Sequence, residues 1–144
     1  MSVIELEIIR DTVYDCIKQM GDICGGARYS CIDDDVKHIL YDASDNMLMY
    51  YGKVLAFIGA CQIYMKLQMD IDELCTSCRN NIKSTEEMFN KGIKMLSDMT
   101  SHDMSDLPDD IVEYYAYIGS MECNAINLKD ILNEFLDEYG IVKQ

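Results

Sequence analysis

The stretch VLAFIGACQIYM, residues 54–65, contains no charged residue and no proline, and it lies between Lys53 and Lys66. Twelve residues of α-helix rise about 18 Å, which is too short to cross a hydrocarbon layer of ~30 Å. A helix that is apolar on all sides belongs in the interior of a globular protein. The sequence therefore predicts a helix over about 51–67 that is buried at the centre of the fold.

On both sides of this stretch, apolar residues recur at steps of three and four, which is typical of amphipathic helices. We expect helices over about 6–20, 33–47, 72–81, 84–99, 106–118 and 127–139. Ser84 and Glu87 have the spacing of a capping box, and Asn127 is the expected cap of the last helix. Together with the central helix, this pattern predicts an all-α bundle of about seven helices in one domain, residues 1–144.

The charge balance disfavours several classes of partner. The chain has 26 acidic and 12 basic residues, a formal net charge of −14. Such a surface repels phosphate backbones and anionic lipid headgroups, so we expect no nucleic-acid partner and no binding to a membrane surface. The apolar stretch 54–65 is too short to span a bilayer, so we also expect no membrane insertion. The seven cysteines form no disulfide framework and no secretory signal opens the chain, which favours a reducing intracellular compartment.

No catalytic or metal-binding motif is convincing. Cys75 and Cys78 form a CxxC, but the βαβ context of thiol redox enzymes is absent, and zinc would need two further ligands. The two histidines, His38 and His102, are isolated. We therefore expect a protein that is not an enzyme, without metal or cofactor; a redox enzyme using the two thiols is the competing hypothesis from another class.

The segment YYGKVLAFI, residues 50–58, resembles the first homology motif of the Bcl-2 family, Asn-Trp-Gly-Arg followed by two aliphatics, Ala and Phe. Tyr51 stands in place of the Trp and Lys53 in place of the Arg. Residues 109–115 and 133–140 are both similar to the second motif, and residues 17–22 are similar to the core of the third. Without a membrane tail, the chain looks like a homologue from a large DNA virus.

The resemblance implies a Bcl-2-like bundle with a hydrophobic surface groove. Anti-apoptotic members sequester the amphipathic BH-3 helix of pro-apoptotic Bim-, Bak- and Bax-type proteins there, which for this chain implies the host cell cytoplasm. Gly52 would let the ligand helix approach closely. Lys53 would pair with a ligand Asp, without the bidentate geometry of Arg. The residues that we assign to the groove on this basis are Leu40, Ala43, Met47, Tyr50, Tyr51, Gly52, Lys53, Val54 and Phe57.

Three further hypotheses follow from the resemblance. An apolar groove without a tail to cover it favours a homodimer formed through or near the groove. A viral adaptor of the same fold, which has lost the groove and blocks innate immune signalling, is the main alternative function. A pro-apoptotic member is a second alternative, which the missing tail disfavours.

Overall fold

The computed structural model describes residues 3–25, 32–101 and 105–139. All regular secondary structure in these ranges is helical, which confirms the predicted all-α class. The described helices are α1 (Val3–Gly25), α2 (Asp34–Lys66), α3 (Asp72–Lys83), α4 (Glu86–Thr100) and α5 (Asp109–Tyr139). None of them is long and apolar enough to cross a membrane.

Helix α2 joins two segments that we expected to be separate. It runs for 33 residues without a break, from the Asp33 cap, whose carboxylate accepts from the Asp35 amide at 3.4 Å. The expected break near Tyr50 is wrong, because the inward stripe stays in register from Leu40 through Val54 to Cys61. Gly52 alone, at a cost of about 1 kcal/mol in helix propensity, does not interrupt a helix that is held by packing along its length.

Helix α5 likewise joins two predicted helices, so the described residues form five helices rather than seven. Asn127 lies inside α5, exposed, and the prediction that it caps a separate helix is wrong. The predicted capping box is also wrong. The Ser84 hydroxyl donates to the Asn81 carbonyl at 2.6 Å, and Thr85 occupies the cap position without a side-chain cap bond. The link from α3 to α4 stays in the helical region of the backbone, where Ser and Thr hydroxyls bond back to the preceding turn.

The helices pack as antiparallel neighbours. Cys24 of α1 bonds Ser44 of α2 at 3.4 Å, while Cys16, two turns earlier, bonds Tyr51 further along α2. Along the other flank of α1, Gln19 accepts from the Asn124 amide of α5 at 2.7 Å. All five helices contribute to one buried apolar cluster, with members such as Val13, Val54, Cys75, Leu96 and Leu132.

The second half of α2 is not enclosed as we predicted. Gly52, Ala56, Gln62 and Ile63 are exposed, and Ile63 keeps 59% of its surface in water. Gly52 and Ala56 are small, so leaving them uncovered forgoes little apolar burial, whereas the exposure of Ile63 forgoes the burial of a large side chain. The helix therefore forms one wall of the core rather than its centre.

Candidate functional site

The nine residues predicted for the groove separate into two environments in the structure. Gly52 is exposed and Lys53 is half-buried. The other seven are buried in the core, each with no more than 2% of its surface accessible: Leu40, Ala43, Met47, Tyr50, Tyr51, Val54 and Phe57. Most of the predicted set therefore lies beneath the surface.

Helix α4 covers the inward face of this part of α2. Phe89 of α4 stacks on Tyr50 with ring centroids 3.9 Å apart and meets Tyr51 edge-on at 5.4 Å. Burial raises the pKa of both tyrosines well above the ordinary value, so both phenols are neutral at physiological pH. One turn further along α4, Gly92 lies so close to Met47 that no side chain fits between them. This aromatic and glycine contact is a tightly packed interface.

A second surface next to the same residues is open. An apolar cleft of about 390 Å³ lies between α1 and α2, which we call the α1–α2 cleft. Leu48 keeps 47% of its surface accessible there, and Tyr41 is also exposed. The phenol of Tyr41 donates to the Cys24 carbonyl at 3.3 Å and closes one end. The cleft is lined by Ile17, Met20, Gly21, Cys24, Tyr41, Ser44, Asp45 and Leu48.

The geometry of α2 relates this cleft to the predicted residues. Gly52 follows Leu48 by one turn on the same face, and no heavy atom lies within 4 Å of a Cβ built on it. A second glycine, Gly21, stands on the α1 wall with equally open space. Lys53 follows Leu48 by five residues, about 140° around the helix, and so lies on the other flank of α2. Neither Gly52 nor Lys53 lines the cleft: Gly52 lies one turn beyond Leu48 on the same face, and Lys53 lies on another flank.

The residues that line the α1–α2 cleft were not among the predicted site residues. Leu48 and Met49 lie outside the inward stripe of α2. Two large apolar side chains at positions that face water could have indicated a binding surface on this side of the helix. Nothing in the sequence marked Ile17 and Met20 as cleft residues, because both belong to the ordinary apolar stripe of α1.

The arrangement of thiols and acids can be described for the part of the chain that the structure covers. No group of three or more His, Cys, Asp or Glu residues there is arranged to hold a metal ion. Cys61 and Cys75 are both buried, and the contact with the Cys75 sulfur together with burial raises the pKa of Cys61. The same contact lowers the pKa of Cys75, so of the two only Cys61 is held as a protonated, weakly nucleophilic thiol.

No protein-family model, no curated protein and no solved structure matches this chain.

Proposed function

We propose that the chain binds an amphipathic helix of the BH-3 type and so sequesters pro-apoptotic Bcl-2 proteins in the host cell cytoplasm. The observation that carries the proposal is the position of the α1–α2 cleft. It opens on α2, the helix that holds the segment 50–58, and it is accessible without any change in the core.

The shape of the cleft fits a helical ligand. Helix-in-groove binding inserts apolar side chains, spaced at i, i+3/i+4 and i+7, into pockets with apolar walls. Ile17, Met20 and Leu48 supply such walls. Gly21 in the cleft wall, and Gly52 one turn beyond Leu48, leave open space for the backbone of a ligand.

Charge distinguishes two ways of binding. Among the described residues that line the α1–α2 cleft the ionic one is Asp45, so a ligand there would place a basic or neutral residue beside it. A ligand Asp paired with Lys53 would instead lie over the opposite flank of α2. The buried groove residues on that side contact a ligand only if α4 moves away, because Phe89 occupies the space beside Tyr50 and Tyr51.

Calorimetric titration with a panel of BH-3 peptides tests the proposal. Three charge substitutions separate the surfaces: Leu48→Glu in the cleft, Lys53→Glu on the other flank, and Ile126→Glu, at an exposed aliphatic on α5, as the matched control. We expect Leu48→Glu to weaken binding by about tenfold or more, since it places a charge against apolar walls, and the control to have little effect.

The opposite pattern would change the conclusion. Loss of binding in Lys53→Glu alone would place the ligand over the α2–α4 flank and overturn the cleft as the site. If a folded helical protein binds no peptide of the panel, sequestration is refuted and the adaptor hypothesis becomes the better account.

We also propose that two copies associate in the absence of ligand. The supporting observation is the exposed apolar surface on α2, including Leu48, Met49 and Ile63, since contiguous exposed apolar surface favours association in water. Light scattering at tens of micromolar should give a dimer mass that Ile63→Glu or Leu48→Glu reduces. A strict monomer at that concentration would refute the association.

A further inference from the structure

A second cleft lies between α1 and α5, on the flank of α1 that faces away from the α1–α2 cleft. Ile8 lines the second cleft and Ile17 lines the first; nine residues separate them, which places them on opposite flanks of the helix. The cleft has a volume of about 210 Å³ and is open to solvent. It is therefore a surface separate from the one assigned to the proposed function.

The floor of this cleft is apolar. Ile9 and Phe135 form its base and are buried, and Ile131 lies half-buried beside them. Ile8 stands at its edge with 52% of its surface accessible, and Ile4, one turn earlier on α1, keeps 66% accessible. Two large aliphatic side chains thus extend the apolar floor into water.

The rim of the cleft is acidic. Glu5 projects from α1, and Glu134 and Glu138 stand one turn apart on α5. Like charges at this helical spacing repel, and a carboxylate near the C-terminal end of a helix also meets the negative end of the helix dipole. Helix α5 carries no basic residue in its last turn to offset this. The three carboxylates are therefore positioned to gain from an external cation.

Among the residues that the structure describes, two arginines near these helices are engaged elsewhere. Arg79 donates to the Leu136 carbonyl and pairs with Asp137 at 3.1 Å. Arg10 of α1 pairs with Asp11 at 3.5 Å. The net charge of −14 adds a long-range attraction for positively charged partners.

From the apolar floor and the acidic rim we infer that this cleft, the acidic cleft, binds a basic amphipathic helix of a partner protein. Such a segment would insert one or two aliphatic side chains between Ile8 and Phe135. Its lysine or arginine residues would reach Glu5, Glu134 and Glu138. The apolar face of the partner helix would match the apolar floor of the cleft, and its basic residues would match the acidic rim.

A fluorescently labelled peptide of about 15 residues, four helical turns, tests this directly. It carries leucines on one face and lysines on the other. The comparison peptide has the same composition, with the leucines spread around the helix. We expect the amphipathic peptide to bind with an anisotropy change that weakens as salt rises, and about tenfold more tightly than the comparison peptide. Equal affinities of the two peptides, or no binding of the amphipathic one, would overturn the inference.

Matched variants locate the binding. The triple variant Glu5→Gln, Glu134→Gln, Glu138→Gln should lose about tenfold in affinity, or ~1.4 kcal/mol, and much of the salt dependence. The control Asp42→Asn, Asp98→Asn, Asp130→Asn removes the same charge from exposed sites elsewhere and should change the affinity less than about twofold.

A variant that does not alter charge completes the test. Ile8 is exposed, so we expect Ile8→Ser to leave the fold intact. The substitution should also weaken the binding of the amphipathic peptide. If both triple variants weaken binding equally, the peptide senses only the overall charge and the acidic cleft is not a site. Far-UV circular dichroism of each variant confirms that the compared proteins are folded.

Discussion

The close approach of α4 to α2 at Gly92 makes a specific prediction for the substitution Gly92→Ala. A Cβ built on Gly92 would clash with the side chain of Met47 and lie 2.8 Å from the Ala43 carbonyl oxygen. The methionine side chain can move, but the carbonyl belongs to the backbone of α2 and cannot move alone. An alanine at this position must therefore push the two helices apart.

The magnitude follows from two opposing effects. Alanine in place of glycine in a helix gains about 0.8–1.0 kcal/mol in propensity. Overpacking a filled interface costs about 1–3 kcal/mol. Gly119 of α5 has no heavy atom within 4 Å of its built Cβ, so Gly119→Ala isolates the propensity gain. The two variants should therefore differ by the overpacking cost alone, about 1–3 kcal/mol, with Gly92→Ala the less stable.

Urea unfolding followed by circular dichroism measures both variants against the natural chain. We expect Gly119→Ala to raise the free energy of unfolding by up to about 1 kcal/mol, and Gly92→Ala to leave it unchanged or lower it by up to about 2 kcal/mol. Adding Met47→Ala to Gly92→Ala should not restore stability, because truncating a buried methionine costs about 2–5 kcal/mol and the carbonyl contact remains. Equal stabilisation by the two alanines would refute the packing argument.

Three further outcomes are expected. Phe89→Ala should cost about 3–5 kcal/mol in unfolding free energy, since it removes a buried ring and two aromatic contacts, whereas Met88→Ala on the exposed side should cost under about 0.5 kcal/mol. Arg79→Ala, which breaks the link from α3 to the backbone of α5, should cost about 1–2 kcal/mol, while Asp137→Asn should cost little because that carboxylate is 73% exposed. Burial raises the pKa of Cys16 from 9.0 to about 11. Its contribution to stability is therefore complete below pH 9 and is lost between pH 9 and 11, because the unfolded thiol ionises first. Alkaline urea titrations should show a smaller loss between pH 9 and 11 in Cys16→Ala than in the natural chain, since Tyr50, Tyr51 and Cys61 also have raised pKa values and remain in both; equal losses in the two proteins would contradict the prediction.

The helical class and most helix positions could be predicted because periodicity is a local property. The stripes of α1 and α4 identified Val13, Cys16, Phe89 and Leu96 as inward, and all four are buried. The breaks within α2 and α5 could not be judged in the same way. Near Tyr50 the sequence offers a weak local signal, and whether a helix continues there depends on partners that periodicity does not identify.

The burial of α2 shows a second limit of local reasoning. Hydropathy counts Ala56, Gly59 and Ala60 as apolar, so the stretch 54–65 has no polar face. Small residues have little surface to bury, however, and a helix can leave them in water at low cost. The absence of charge therefore indicated a fully enclosed helix where the structure has an exposed side.

The packing of α4 bears on where a foreign helix would bind. Phe89, Ile93 and Leu96 of α4 follow one another at i, i+4 and i+7, the spacing that a groove-binding ligand uses. Because only two residues join α4 to α3, its effective concentration at α2 is high. A ligand that competes for that side binds only while α4 is displaced. Its apparent affinity is therefore its intrinsic affinity multiplied by the fraction of molecules in which α4 is displaced. The α1–α2 cleft requires no such displacement.

A ligand in that cleft should associate at a rate independent of α4. The variant Phe89→Leu, which destabilises the α2–α4 contact, should therefore leave its association rate unchanged. The same variant should accelerate the association of a ligand that replaces α4.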